Sequence, residues 1–313
     1  MMAFNQSMGR SDVAGLIPPE VSMELLNSVA VQSVCMKLGR RLRNMSTHES
    51  EMPVLSALAS ASIRDGEYDL IQATKMQWEN KVVTAKHVDA IVVVSRDTLD
   101  DAKVPLWDEV KPELVSASSE VIDLAMLYGT GKPSAWPTAI VVGALAASHN
   151  VSLAAMDDLY DAMLGETGVF SKVEADGFEV TGIAAHLTQK AAYRGCRTTD
   201  GVPVFTPDPT QPGKSLVDGV PIEFLKNGVG NATYKQIAGD WQQLVYSMRQ
   251  DINYEVTTTG VIQDGAGNIL FNLFQQHLAA IKMTMRLGFQ VPNPIRRENE
   301  DEATRYPFAY LTA

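Results

Sequence analysis

Apolar and polar residues alternate along the stretch from residue 279 to residue 291. The odd positions are all apolar: Ala279, Ile281, Met283, Met285, Leu287, Phe289 and Val291. The even positions are mostly polar and include Lys282, Thr284, Arg286 and Gln290. A two-residue period of this length predicts a long β-strand with one buried face and one solvated face. Pro292 and Pro294 end the strand because neither can donate a hydrogen bond to a neighbour.

A second pattern predicts a helix over residues 112–128. Its apolar residues recur at three- and four-residue spacing: Leu114, Ala117, Val121, Leu124, Ala125 and Tyr128. Pro112 suits a first helical turn, and Gly129 suits a helix end. We expect this helix to pack against the long strand.

The stretch from residue 52 to residue 95 is typical of a β-hairpin. Strand-like residues cover 53–63 and 75–95, and Asp65-Gly66 between them is a turn signal. The outer half has few large apolar residues, and an isolated two-stranded ribbon is marginally stable in water. We therefore expect it to lie on the body of its own subunit or to be held by another subunit. The same holds for a short amphipathic arm around Leu25 and Val29.

Composition and charge narrow the range of possible functions. The chain has 313 residues, which favours two domains or one domain with extensions. Its 37 acidic and 26 basic residues give a net charge of −11, which disfavours specific binding to DNA or RNA. Cys35 and Cys196 are too few for a disulfide framework and indicate a reducing compartment. With no signal-peptide or membrane-span pattern, we expect a soluble protein made in a cytoplasm, without membrane contact.

The motif most similar to a nucleotide-binding loop is Gly129-Thr130-Gly131-Lys132. A phosphate-binding loop requires glycine at position 126 and serine or threonine at position 133, where this chain has Met126 and Pro133. The glycines also end the predicted helix, so no helix N-terminus would face an anion. We predict a helix end followed by a turn.

Other reactive side chains do not form a recognisable site. The five histidines lack metal-ligand spacing. An acidic group consists of Asp97, Asp100, Asp101 and Asp108. It lacks the glycine and final glutamate of a calcium loop and is typical of a helix N-terminus. Arg194 and Arg197 could lower the pKa of the Cys196 thiol, but an incidental thiol is the favoured interpretation. We predict no active site, metal or cofactor, and a function in assembly.

Six segments resemble the major capsid proteins of tailed bacteriophages, which have the Hong-Kong-97-type fold. They are Leu16-Ile17-Pro18-Pro19-Glu20-Val21, Met52-Pro53-Val54-Leu55, Trp107-Asp108-Glu109-Val110-Lys111-Pro112, Tyr128-Gly129-Thr130-Gly131-Lys132-Pro133, Gly239-Asp240-Trp241 and Met285-Arg286-Leu287-Gly288-Phe289. No single segment is diagnostic. Their order and spacing from residue 16 onward make the resemblance specific.

The resemblance implies an α+β fold in four parts. The implied parts are an N-terminal arm (1–51), an extended loop over a neighbouring subunit (52–86), a peripheral domain (87–140 and 262–313) and an axial domain (141–261). The helix over 112–128 would be the spine helix of the peripheral domain. Residues 141–261 are also typical of a mixed α/β unit by their own pattern.

Two departures from the family pattern alter this expectation. Some members carry a long N-terminal scaffolding segment, whereas the match here begins at Leu16, so we expect a separate scaffolding protein or none. Some members join a loop lysine to an asparagine of a neighbour with the help of an acidic residue. An ungapped match puts His277 and Thr284 at the last two positions. Lys75 and Lys81 then lack partner chemistry, and we expect no self-crosslinking.

The resemblance implies a structural virion protein and not an enzyme. Hexamers and pentamers of this subunit would assemble in the host cytoplasm and close into an icosahedral head around double-stranded DNA. Further partners would be a scaffolding protein, a portal and a decoration protein, with packaged DNA contacted non-specifically if at all. The alternatives are an encapsulin-type shell around a cargo enzyme, which shares the fold, and a mixed α/β enzyme with an unrecognised site.

We expect the contacts between subunits in the arm and the hairpin. The expected residues are Leu25, Val29, Ile63, Tyr68, Met76 and Trp78. Trp78 would be exposed on a free hairpin, so burial by a neighbouring subunit is the simpler interpretation. The alternative is that Trp78 packs within its own subunit.

Overall fold

The computed structural model describes residues 33–63, 70, 73–101, 106–156, 158–197, 215–226, 228–231 and 233–313. The predicted contact residues Leu25, Val29 and Tyr68 lie outside these ranges. The helices within them are α1 Val34–Leu38, α2 Arg96–Asp101, α3 Leu106–Leu127, α4 Ile140–Ala146, α5 Leu159–Leu164, α6 Val169–Ala175 and α7 Gln189–Gly195. Short 3₁₀ turns cover Leu153–Ala155 and Trp241–Gln243.

The strands of the described residues form two larger sheets and two hairpins. They are β1 Arg40–Arg41, β2 Glu49–Ala57, β3 Gln77–Thr84, β4 Lys86–Ser95, β5 Asn150–Ser152, β6 Gly182–His186, β7 Ser215–Val217, β8 Val220–Leu225, β9 Tyr234–Gly239, β10 Val245–Thr257, β11 Val261–Gln263, β12 Ile269–Asn272, β13 Leu278–Gln290 and β14 Phe308–Thr312. The sheet orders are β1-β10-β13-β4 and β5-β14-β9-β6-β8-β7, and the hairpins are β2–β3 and β11–β12.

The predicted long strand is β13, displaced by one residue at each end, and it lies inside the four-stranded sheet. The odd-numbered side chains from 279 to 289 are buried, as predicted, while Lys282 on the other face is exposed. Ile281, Met285 and Phe289 share one core with residues of α3. The predicted packing of helix on strand is confirmed.

Helix α3 begins at Leu106, six residues before the predicted start. Pro112 is therefore inside the helix, where it removes one backbone hydrogen bond. Trp107 and Val110 pack against the core of the four-stranded sheet. This burial of apolar surface favours the additional helical turns and offsets the missing bond.

The six-stranded sheet packs against a separate set of helices. Val169, Phe170 and Val173 of α6 are buried with Ile183 of β6 and Leu311 of β14. Strand β14 lies between β5, to which it is parallel, and β9, to which it is antiparallel. The last strand of the chain is thus an interior strand of this sheet.

Two strands join sheets other than those expected from the sequence ranges. Strand β10, within the predicted axial range 141–261, pairs with β13 in the four-stranded sheet. Strand β14, within the predicted peripheral range 262–313, belongs to the six-stranded sheet. Sheet membership depends on pairing between segments that are far apart in sequence, and a strand's position along the chain does not reveal its partners. The expected strand over residues 241–247 begins as a 3₁₀ turn because the Asp240 carboxylate accepts a hydrogen bond from the Gln242 amide at 3.0 Å.

The predicted hairpin at residues 52–95 is present, with a different division of its second strand. Strands β2 and β3 pair antiparallel, with Leu55 opposite Trp78. Residues 86–95 form β4 and pair with β13, so they belong to the four-stranded sheet instead of the hairpin. Gly288 of β13 allows this change of sheet because an added Cβ would lie 2.5 Å from the Thr84 carbonyl oxygen.

Candidate assembly surface

The described contact residues of the first hairpin are exposed on the subunit. Ile63 is 100% exposed, Trp78 63% and Met76 42%. Most of the Trp78 surface is therefore free on the isolated subunit, and its burial by a neighbouring subunit stays a prediction. Ile63, Met76 and Trp78 are thus large apolar side chains that the subunit itself leaves exposed.

The hairpin β2–β3 has only a small apolar cluster at its base. Met45, Val83 and Ala85 are buried there together. Beyond the base, most side chains of both strands are exposed or half-buried. The ribbon therefore gains little hydrophobic stabilisation within its own subunit, as its composition predicted.

A second hairpin, β11–β12, also exposes apolar surface, and the sequence analysis missed it as a contact region. Its exposed side chains are Val261, Ile269, Leu270 and Phe271, and Phe274 beyond its end is 77% exposed. The available signal was the Asp264-Gly265-Ala266-Gly267-Asn268 turn between two short apolar stretches. The Asp264 carboxylate accepts hydrogen bonds from the amides of Asn268 at 2.8 Å and Ala266 at 2.9 Å. Hydrogen bonds from Asn268 hold the pKa of Asp264 below its usual range.

Asp123 of α3 anchors the point where the N-terminal residues join the described structure. Its carboxylate accepts hydrogen bonds from the Ser33 hydroxyl at 2.7 Å and from the amides of Val34 at 2.9 Å and Cys35 at 3.1 Å. These donors belong to the first turn of α1, which otherwise leaves them unpaired. Burial raises the pKa of the Asp123 carboxyl. The start of α1 is therefore fixed on α3.

The Gly129–Lys132 segment is a turn after α3, as predicted. Gly129 and Gly131 have φ angles of +78° and +67°, which a side chain would disfavour. The Lys132 ammonium donates a hydrogen bond to the Trp136 carbonyl oxygen at 2.9 Å. The lysine is thus engaged by its own turn, which gives the motif a structural role.

The remaining candidate chemistry is not assembled into a site. Burial, with a smaller effect of Asp158, raises the pKa of the Cys196 thiol, opposite to the lowering that Arg194 and Arg197 suggested. Among the described residues, no group of three or more His, Cys, Asp or Glu side chains could hold a metal ion. In the same residues, no helix combines the length and apolar character needed to cross a membrane.

A family model described as "Phage capsid family" matches residues 14–295. The chain belongs to the phage capsid family. A curated relative, the major capsid protein of Staphylococcus phage 80alpha, is 22% identical over 240 residues, which cover 72% of this chain and 67% of the relative. The predicted resemblance to phage major capsid proteins is confirmed. The family is structural, so the chain is a capsid protein and not an enzyme.

Solved structures extend the similarity to nearly the whole fold. A structure from Microbacterium phage Oxtober96 is 25% identical, covers 98% of this chain and 99% of that one, and has a TM-score of 0.76. A structure from Mycobacterium phage Adephagia is 22% identical, with 98% of each chain covered and a TM-score of 0.76. These neighbours are phage capsid proteins, and the α+β Hong-Kong-97-type fold is confirmed. Capsid proteins of this kind form multi-subunit shells, and those of phages form the virion capsid.

The residues that the ungapped match puts at the crosslink positions make contacts within their own subunit. His277 pairs with Asp97 at 3.0 Å on the surface, and Thr284 is half-buried within β13. Lys81 donates hydrogen bonds to Glu302 at 2.9 Å and Glu79 at 3.1 Å. Burial alone would lower the pKa of the Lys81 ammonium, but the bonds to Glu302 and Glu79 raise it. The Lys81 ammonium is thus paired with two carboxylates of its own subunit.

Proposed function

We propose that this chain is the major capsid subunit of a phage head that assembles through hexamers and pentamers into an icosahedral shell around double-stranded DNA. The observation that carries the proposal is the exposure of large apolar side chains on two hairpins of a phage capsid protein. Trp78 and Phe274 are the most exposed aromatic examples. Monomeric soluble proteins rarely expose such patches, so we expect neighbouring subunits to bury these side chains.

The energetics favour many modest contacts. Burying one aromatic side chain against a neighbour stabilises a contact by on the order of a few kcal/mol. Each subunit offers two hairpins and so takes part in several contacts at once. Contacts that join different surfaces of identical subunits produce closed rings, and rings combine into a shell. Together they give a stable container, while each contact stays weak enough to rearrange.

We assign the parts of the chain to the roles implied by the family. Residues 1–51 are the arm, 52–86 the extended loop, 87–140 and 262–313 the peripheral domain and 141–261 the axial domain. Within these ranges, β10 pairs in the four-stranded sheet and β14 in the six-stranded sheet. Assembly takes place in the host cytoplasm with a portal and a decoration protein, and either with a separate scaffolding protein or without one. The net charge of −11 supports DNA contacts that are at most non-specific.

The shell is held together without covalent crosslinks between subunits. The engagement of Lys81 by Glu302 and Glu79, with His277 in the asparagine position, supports this part of the proposal. Denaturing gel electrophoresis of purified particles is expected to give a single band near 34.1 kDa. A ladder of multiples of that mass would contradict it.

Assembly itself is tested by sedimentation and negative-stain microscopy of the full chain, expressed alone and with the scaffolding protein of its phage. We expect closed shells in at least one of the two preparations, and DNA-filled heads from infected cells. Small shells with protein inside would favour the encapsulin-type alternative. A chain that stays a 34.1 kDa monomer in both preparations would overturn the proposal.

A further inference from the structure

The segment between β13 and β14, residues 291–307, contains no helix or strand. This segment, the strap, nevertheless contacts the hairpin β2–β3 at one side and the helices of the six-stranded sheet at the other. A connection between two strands needs only to span the distance between them. The number and burial of the strap's polar contacts therefore call for a separate explanation.

Two contacts join the strap to the hairpin, and a third joins it to Ala59, just beyond the end of β2. They are a hydrogen bond from the Ile295 amide to the Leu55 carbonyl oxygen at 3.2 Å, one from the Arg297 guanidinium to the Ala59 carbonyl oxygen at 2.9 Å, and the Lys81–Glu302 ion pair at 2.9 Å. Leu55 lies on β2 and Lys81 on β3, so both strands of the hairpin are held. Two of the contacts go to backbone carbonyl oxygens, and the third is an ion pair between two side chains.

A single buried carboxylate, Asp176 at the end of α6, holds the other side of the strap. One oxygen accepts a hydrogen bond from the Asn299 side-chain amide at 2.7 Å, and the other accepts one from the Tyr306 backbone amide at 2.7 Å. His149 Nε2 lies 3.2 Å from the second oxygen. The Arg296 guanidinium also stacks on the Phe178 ring at 4.9 Å.

Arg305 makes the strap internally rigid. Its side chain is buried and donates hydrogen bonds to the carbonyl oxygens of Asn299 at 2.9 Å and Asn293 at 3.2 Å. The Asn293 side-chain amide in turn donates to the Arg305 carbonyl oxygen at 2.8 Å. These bonds join Asn293 near the start of the strap, Asn299 in its middle and Arg305 near its end. A displacement at Asn299 would therefore act on Asn293 through Arg305.

We propose that the strap is a mechanical link that fixes the hairpin β2–β3 relative to the six-stranded sheet, with Asp176 as its anchor. The hydrogen bonds of Asp176 go to the strap, so its release would loosen the hairpin through the strap. The hydrogen bonds from the Gln290 side-chain amide to the Val82 carbonyl oxygen at 3.0 Å and from the Trp136 indole to the Thr84 carbonyl oxygen at 3.0 Å would remain. The geometry has the three components that such a link requires: a bonded hairpin end, a rigid middle and a buried anchor. The inference concerns the subunit itself and stands independently of the proposed shell.

Hydrogen–deuterium exchange of the full chain tests the link, with every variant measured in the same assembly state as verified by sedimentation. Asp176→Asn leaves one carbonyl oxygen for two donors and turns an amide group towards them. We expect exchange to rise about tenfold in β2 and β3 as well as in the strap. Glu300→Gln removes one negative charge from an exposed strap position and should leave exchange in the hairpin unchanged.

Increased exchange confined to the strap and α6 would overturn the proposal, because Asp176 would then have only a local role. If Asp176→Asn fails to fold, Asn299→Ala removes one of the same hydrogen bonds from the strap side. The expected result is again faster exchange in β2 and β3. Unchanged hairpin exchange in a folded Asn299→Ala variant would overturn the proposal equally.

Discussion

Two antiparallel strand pairs of this molecule have similar backbones and opposite surroundings. Strands β10 and β13 pair over most of their length, as do β2 and β3. The first pair is covered by α3 and contributes to the largest core, while the second projects with most of its side chains exposed or half-buried. Backbone hydrogen bonding is thus common to both, and it does not decide which pair is stable alone.

The difference lies in the side chains. Every second residue of β13 is apolar and meets another apolar surface, so burial of apolar area stabilises the strand within the subunit. The hairpin β2–β3 instead carries a few large apolar residues that find no such surface. A strand pair of the first kind serves the fold of the subunit, and one of the second kind serves contacts with other subunits.

Removing a large side chain from β13 should have the largest effect on the stability of the subunit. Phe289 is fully buried, and its ring meets Trp136 edge-on at 5.2 Å between centroids. We expect Phe289→Ala to lower the free energy of unfolding by about 3–5 kcal/mol, measured by urea unfolding. Lys282→Ala on the exposed face of β13 is the control and should stay within about 0.5 kcal/mol of the parent. Equal effects of the two changes would contradict the conclusion that the buried face of β13 stabilises the subunit.

The anchor of α1 gives the next effect. Asp123→Asn leaves one carbonyl oxygen to serve the three donors of Ser33, Val34 and Cys35. We expect a loss of about 1–3 kcal/mol in thermal unfolding, because buried donors remain unpaired. Glu120→Gln, on the same helix, removes an equal charge and should have a much smaller effect. If both variants unfold alike, the anchor contributes nothing specific.

The buried His149 predicts a smaller, pH-dependent effect. Burial lowers the pKa of its imidazole, Lys172 adds to this, and Asp176 with the carbonyl oxygens of Phe308 and Tyr306 opposes it. The unfolded chain therefore binds this proton at a higher pH than the folded chain does. Stability should be complete above the ordinary histidine pKa of about 6.5 and decline as the pH falls below it.

The variant His149→Gln isolates this effect from other groups that titrate in acid. Subtracting its unfolding free energies from those of the parent between pH 8 and pH 5 (roughly the range in which histidines titrate) should reveal a slope below pH ~6.5. A difference that is constant with pH would contradict the lowered pKa.

The smallest expected effect on subunit stability is that of Trp78→Ala or Phe274→Ala. Both side chains are exposed, so the unfolding free energy should change by no more than about 0.5 kcal/mol. Shell formation, followed by sedimentation, should nevertheless be lost or strongly reduced. Gln77→Ala, also exposed on β3, is the matched control and should assemble normally. A Trp78→Ala variant that forms shells as well as the control would remove Trp78 from the contact surface.

The sequence predicted best those features that depend on a local pattern. The alternation over 279–291 located β13 within one residue, and the lack of apolar residues in the ribbon predicted its exposure. The start of α3 was misplaced because Pro112 is a helix-start signal locally, whereas tertiary packing of Trp107 and Val110 extends the helix. The sheet membership of β10 and β14 depends on long-range pairing that has no local signature. Phe274 was missed because an exposed and a buried phenylalanine are identical in sequence.

The interior position of β14 has a consequence for the order of events in the cell. Strand β14 separates β5 from β9, yet residues 308–312 are synthesised after every other strand of the six-stranded sheet. The sheet cannot close until the ribosome has produced them. A prematurely terminated chain would keep an open gap between two of its strands and fail to complete its fold.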